Sequence, residues 1–433
     1  MSSNRIPSQE VPTEIWTKVI RFATGPHAIQ DDPALSSVLP NCLVSENFPE
    51  ETLNTKCALA LVCHQWNAVA TTILYEHITL PIRPVARIEK LLNTLTNPVS
   101  DGGPSNLAHL VKRVDIPAVI SGERIHLIVQ LCKKMTNLIA FFALLENGVD
   151  PRPLLNVLPE NLVHLHIQGQ GTRAADPYIS LGDLKDFLVG HPDLATLSIP
   201  SGLTGGHTGL QARISWPSIR KLTLQSSDQT SALARYVPTG ALPNLEVVAF
   251  QGPGIPTLDW DAAIGSFLMV HGGPLVSVGL TQDDTNDFSS PMNTSLKQVD
   301  QRCPHIREII VCFKVGPSGR SSTRIPLTWV GNDTARRMPQ IVSLGIQLRF
   351  PGNNCDRMGY LQYAVVMPWT KLFPGLQRIR GLEEIDVEKY RAHDEITQKN
   401  LRSTGRFAKH PIRVEDITGN LLGQFSNGIC AWA

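Results

Sequence analysis

The chain has 433 residues, of which 42% are hydrophobic and 18% charged, ample for a buried core and against wholesale disorder. Its 39 basic and 38 acidic residues leave a net charge of +1, so no general field draws in nucleic acid or an anionic membrane, and neither is expected as a partner. The polar first ten residues lack a signal-peptide core, the longest apolar run (138–145) is far below the roughly 18–20 residues that cross a bilayer, and eight cysteines lie outside CxxC spacing. These features read as a soluble, reduced protein of the cytoplasm or nucleus.

The first element is a helix opened by Pro12, whose missing N–H would be unpaired there anyway. Glu14 complements the positive helix end, Ile15, Val19 and Phe22 recur at spacings of four and three beside Trp16 and Ile20, and Thr24-Gly25-Pro26 stops it. A second, longer stripe runs through Leu59, Val62, Cys63, Trp66, Ala70, Ile73 and Leu74, with His64, Gln65, Asn67, Thr71 and Thr72 opposite. Between them, residues 25–56 carry several prolines and few periodic apolar residues, which predicts an exposed inserted loop.

Val11-Pro12-Thr13-Glu14-Ile15-Trp16, then Ala60-Leu61-Val62-Cys63-His64-Gln65-Trp66, then Leu74-Tyr75-Glu76-His77-Ile78 together resemble the F-box, in the form common in large families of mushroom-forming fungi. Val11 stands where the family usually has leucine, and the insertion 25–56 replaces a short loop. The resemblance implies a helical domain over 5–80 that docks a Skp-family adaptor and, through it, a cullin-based ubiquitin ligase. Carried over by position, Pro12, Ile15, Val19 and Ile20 lie at or beside the adaptor surface, and Leu61, Val62 and Trp66 contribute to it or support it from within. The plainer alternative is a helical cap on a repeat array, since such arrays need covered ends.

From about residue 107 a phrase recurs in which the first, fourth and sixth positions are apolar: Leu162, Leu165, Ile167; Leu194, Leu197, Ile199; Ile219, Leu222, Leu224; Leu245, Val248, Phe250; Leu275, Val278, Leu280; Ile306, Ile309, Val311; Ile341, Leu344, Ile346. Weaker copies begin near Val111, Leu138 and Leu376, and Pro192, Pro217, Pro243, Pro304 and Pro339 each stand two residues ahead of a copy. The spacing, roughly that of leucine-rich repeats or somewhat longer, predicts one short strand per copy. Helix-like stretches such as 181–188 and 261–270 fall between. Such units bury their apolar faces only by stacking, so the expected fold is an α/β solenoid: the N-terminal helical F-box, then a curved leucine-rich-repeat-like array with a parallel sheet over 81–410, and a tail over 411–433. An ordinary α/β domain is the competing reading.

The third and fifth positions of each copy are expected on the concave face, where solenoids usually bind, with His164, His166, Thr196, Lys221, Val247 and Glu308 as candidate contacts for a target protein. Longer connections, residues 282–303, 314–338 and 349–374, are a second place for a ligand. Candidate chemistry is thin. His164 and His166 share a strand face but have no cysteine or carboxylate nearby to complete a metal shell, residues 316–323 lack the Gly-Lys-Ser/Thr ending of a phosphate loop, and Asp283, Asp284 and Asp287 lack the rest of a calcium loop. No catalytic residue, metal or cofactor is expected. Cys430, four residues from the end, formally fits a prenylation box, but Trp432 and the absence of a polybasic stretch argue against it. The expected function is substrate recognition in a ubiquitin ligase; the alternative is a non-catalytic repeat scaffold whose cap docks no ligase.

Overall fold

Local sequence sets the N-terminal helices. A computed structural model of the chain describes residues 12–23, 50–80, 85–96, 107–146, 148–170, 179–198, 203–204, 215–251, 258–283, 291–314, 337–349, 369–381, 411–415, 421–426 and 429–432. Helix α1 (Thr13–Ala23) starts directly after Pro12, whose carbonyl accepts the Ile15 and Trp16 amides at 3.0 and 3.3 Å. The long second stripe is not one helix. It divides into α2 (Glu50–Ala60) and α3 (His64–Glu76). Cys63 is extended at φ −162°, and Asn67 Nδ2 donates to the orphan carbonyl of Ala60 at 2.8 Å, closing α2 and opening α3 at one point. Helix α2 also occupies the end of the expected 25–56 loop; residues 25–49 lie outside the described residues.

Helix α3 runs straight into β1 (His77–Thr79), the first strand of a 14-stranded open sheet. It continues through β2 (Arg113–Ile120), β3 (Ala140–Glu146), β4 (His164–Gln170), β6 (Thr196–Ser198), β8 (Lys221–Leu224), β9 (Val247–Phe250), β10 (Ser277–Asp283), β11 (Glu308–Lys314), β12 (Ser343–Arg349), β13 (Arg378–Gly381) and β14 (Ile412–Glu415). Every pairing along this series is parallel and follows chain order. The sheet then turns antiparallel through β15 (Leu421–Ser426) and β16 (Ile429–Trp432), so residues 411–433 contribute strands where the sequence reading has a tail. Two short strands, β5 (Ile179–Ser180) and β7 (Leu203–Thr204), pair separately.

Between strands come α4 (Val85–Thr96), α5 (Ile125–Cys132), α6 (Arg152–Leu155), α7 (Leu181–Gly190), α8 (Ser227–Tyr236), α9 (Leu258–His271), α10 (Pro291–Arg302) and α11 (Trp369–Leu372). Helix α10 fills most of 282–303, expected as an open connection; Leu296, Val299 and Cys303 turn inward at spacings of three and four. Buried helix residues such as Leu131, Leu184, Leu233 and Phe267 share one core cluster with the first, fourth and sixth positions of the strand copies, for example Leu162, Leu165 and Ile167 at 0% exposure. Phe142, Ala249, Ile310 and Cys312, on the other strand face, lie outside that cluster. Helices α4 to α11 therefore pack on one face of the sheet.

The prolines act one step earlier than a strand start. In His191-Pro192-Asp193-Leu194 the Leu194 amide donates to the His191 carbonyl at 3.1 Å, and the same turn precedes Ile219, Leu245, Ile306, Ile341 and Leu376. Proline is its second residue, where its fixed φ suits the turn. For the turns ending at Leu194 to Ile341, the carbonyl of the next residue accepts two amides from the following repeat, as Ala195 does from Arg220 and Lys221 at 2.9 and 3.0 Å, and Gln377 accepts the Arg413 amide at 2.8 Å. This aligns the third positions of the strands from β6 to β13.

Adjacent turns stack closely at Gly375. A Cβ on Gly375 would fall 2.1 Å from the Pro339 carbonyl oxygen, whereas one on Gly273 meets nothing within 4 Å. Gly375→Ala is expected to cost about 1–3 kcal/mol by overpacking, with Gly273→Ala near neutral, read as a shift in urea midpoint. Equal midpoints for the two variants would refute the close approach.

Candidate functional site

Two regions gather the candidate residues. The first is the helical head, α1 to α3. Ile20, Val69, Ala70 and Ile73 form a small core of their own, with Trp16, Leu59 and Ala60 against it. Trp16 and Trp66 lean together with ring centroids 4.7 Å apart. Ile20 is only 1% exposed, so it belongs to this core and not to an outer surface: it sits on the α1 side that meets α3. Trp66 is half-buried. The break between α2 and α3 throws Leu61 and Val62 outward at 85% and 58% exposure, and α1 leaves Ile15 and Val19 at 46% and 45%. Pro12 is also exposed. The head thus withholds four large aliphatic side chains from its own core.

A carboxylate ties the head to the sheet. Glu76, last in α3, accepts Arg21 Nη2 on both oxygens at 2.9 and 2.8 Å and Lys112 Nζ at 2.9 Å. Burial lowers the pKa of Lys56, and the charge of Glu76 opposes that shift. Helices α1 and α3 and the start of β2 therefore meet at one side chain.

The second region is the sheet face opposite the helices. Register places the third-position residues in a single row, in which His164 aligns with Thr196 and Lys221, then Val247, Ser277, Glu308 and Ser343. Much of this face is covered by its own side chains. His166, Thr196 and Lys221 are 3%, 4% and 6% exposed, and His164, Val247 and Glu308 are half-buried. With strands about 4.8 Å apart, long side chains lie across their neighbours, and the polar ones bond sideways. His164 Nδ1 lies 3.0 Å from Thr196 Oγ1, and Glu308 accepts from Ser277 Oγ at 2.9 Å and Ser343 Oγ at 2.8 Å. Gln225 bonds Ile167 O and Ser198 Oγ, both at 2.9 Å, serving strand ends that the short β6 leaves open.

At the head end this face holds residues that the sequence reading passed over. Asp115 accepts Arg113 Nε at 3.0 Å and lies 2.7 Å from His77 Nε2, while the Arg113 guanidinium sits 4.6 Å from the centre of the Phe142 ring. Burial alone would raise the Asp115 pKa, but the charges of Arg113 and His77 and their hydrogen bonds hold it below the usual carboxylate range. Arg113 and Asp115 are the third and fifth positions of the weak copy at Val111, so the signal was present.

His164 responds to the same surroundings. Burial, then the charges of Lys221 and Arg113, push its pKa down to about 4; burial does the same to His271. A histidine with a folded value below 6.5 leaves the unfolded chain binding more protons between the two values, so stability falls on acidification from about pH 6.5 to 4. The urea midpoint is expected to drop across that window, and His164→Gln to flatten the drop. An unchanged slope in the variant would rule out this contribution.

No group of three or more histidine, cysteine or acidic side chains able to hold a metal occurs among the described residues, and no described helix is long and apolar enough to cross a membrane. The segment 316–323, Asp284 and Asp287 lie outside the described residues. The sequence matches no protein-family model, and no curated protein matches it.

Proposed function

We propose that the chain is a substrate-recognition subunit of a cullin-type ubiquitin ligase. In this reading the head is an F-box-like domain that docks a Skp-family adaptor, and the sheet and helices form a leucine-rich-repeat-like solenoid that holds a target protein. The observation that carries it is the exposure of Ile15, Val19, Leu61 and Val62 on a head whose described core is formed by other residues. Four such side chains on so small a head suit contact with a partner. The sequential, all-parallel pairing of β1 to β14 supports a stacked array. The receptor performs no chemistry; it raises the local concentration of a target near the ubiquitin-carrying enzyme.

The second reading is a repeat scaffold whose cap docks no ligase. It is favoured by the inward position of Ile20 and by the insertion between the two matched blocks. Co-purification of the full chain with a Skp-type adaptor separates the two, the receptor requiring a complex that aspartate at Ile15 or Val62 removes.

A further inference from the structure

The far end of the same sheet face carries a cluster of arginines. Arg378 and Arg413 are Cα partners across β13 and β14, and Arg380 is the partner of Glu415. The alternating Ile379 and Val414 are 0% and 2% exposed in the helix-side core, so all four charged residues stand on the opposite face. Partner Cα atoms on neighbouring strands are about 4.8 Å apart, which confines three guanidiniums and one carboxylate to a patch two strands wide.

The single carboxylate is already engaged. Glu415, 4% exposed, meets Arg380 Nη2 at 3.2 Å and Arg413 Nε at 3.5 Å, while Arg378 Nε donates to Ser343 Oγ at 3.0 Å. Arg380 Nε is buried without an acceptor. The Arg413 side chain is 58% exposed and Arg378 is exposed as well. Each guanidinium has five N–H donors, so both arginines keep most of theirs for a partner. Like charges directly opposite on paired strands destabilise a sheet, and an anion laid across them would relieve that repulsion.

We propose that Arg378, Arg380 and Arg413 form a docking site for an acidic polypeptide segment. Glutamate or aspartate side chains match the forked donors, whereas a net charge of +1 gives the chain no general field to hold a phosphate backbone. The site deepens the reading of the chain as a protein-binding receptor and is independent of adaptor docking.

The test is fluorescence anisotropy of a labelled oligoglutamate peptide titrated with the full chain. Binding is expected at low salt and to weaken as salt rises. Arg378→Gln/Arg413→Gln, at exposed positions, should fold normally by thermal midpoint and bind about tenfold more weakly, the sum of two exposed charge contacts. Arg413→Gln alone should show part of that loss. Arg220→Gln/Arg235→Gln, away from the patch, should bind as the parent does. No peptide binding, an equal loss in the control pair, or tighter binding of a single-stranded oligonucleotide of equal length would overturn the proposal. Adaptor co-purification should be untouched by the Arg378/Arg413 change, so failure of either idea is visible without the other.

Discussion

Ile15→Asp and Val62→Asp are each expected to abolish co-purification with a Skp-type adaptor while leaving the chain folded. Both side chains are about half exposed, so a charge there costs the free protein little. In a docked state the same carboxylate would be desolvated against an apolar partner surface without a counter-charge, a penalty of several kcal/mol. That corresponds to at least a hundredfold in affinity. Ile20→Asp is the informative contrast. Ile20 is 1% exposed among Val69, Ala70 and Ile73, so that change should unfold the head itself, lowering helical signal along with binding. Retention of the adaptor by both Ile15→Asp and Val62→Asp would show that docking does not use this surface, and absence of the adaptor from the parent chain would leave the scaffold reading in place.

The largest stability effect is expected at Phe267. It is fully buried on α9, edge-on to Phe250 with centroids 5.8 Å apart at 84°, and 4.9 Å from the His271 ring. Phe250 in turn meets Trp260 edge-on at 6.3 Å. Phe267→Ala would empty the centre of this aromatic group, and a truncation of that kind costs about 3–5 kcal/mol. The urea midpoint should fall accordingly, with faster hydrogen exchange in β9, whose Phe250 meets the helix. A loss below about 1 kcal/mol would mean that neighbouring side chains collapse into the space, contrary to close packing there.

How far these sites could be read in advance differs between them. Helix α1 was legible because its signals are local: a proline at its start, an acidic first turn, an apolar stripe. The strand copies were legible for the same reason, since one hydrophobic phrase defines each strand and its inward positions. The break at residues 61–63 was not, because the apolar spacing of Leu59, Val62 and Trp66 runs through it without interruption. Only the Asn67 bond to Ala60 and the extended Cys63 end one helix there. Helix α10 was missed because its polar sequence carries few apolar residues, although the spacing of Leu296, Val299 and Cys303 was available.

By itself, the amino-acid sequence determined which residues turn toward the core of each repeat and where each turn falls, because apolar periodicity and proline act over a few residues. Only the tertiary structure decided what the other strand face is. Its third-position residues come from segments about thirty residues apart and meet only once the strands stand side by side in register. There neighbouring side chains cover one another, which buries His166 and Lys221, while Arg378 and Arg413 meet Ser343 and Glu415 among the described residues and stay exposed. Whether a strand residue ends buried or free for a partner depends on neighbours across the sheet, and no local pattern in the chain encodes them.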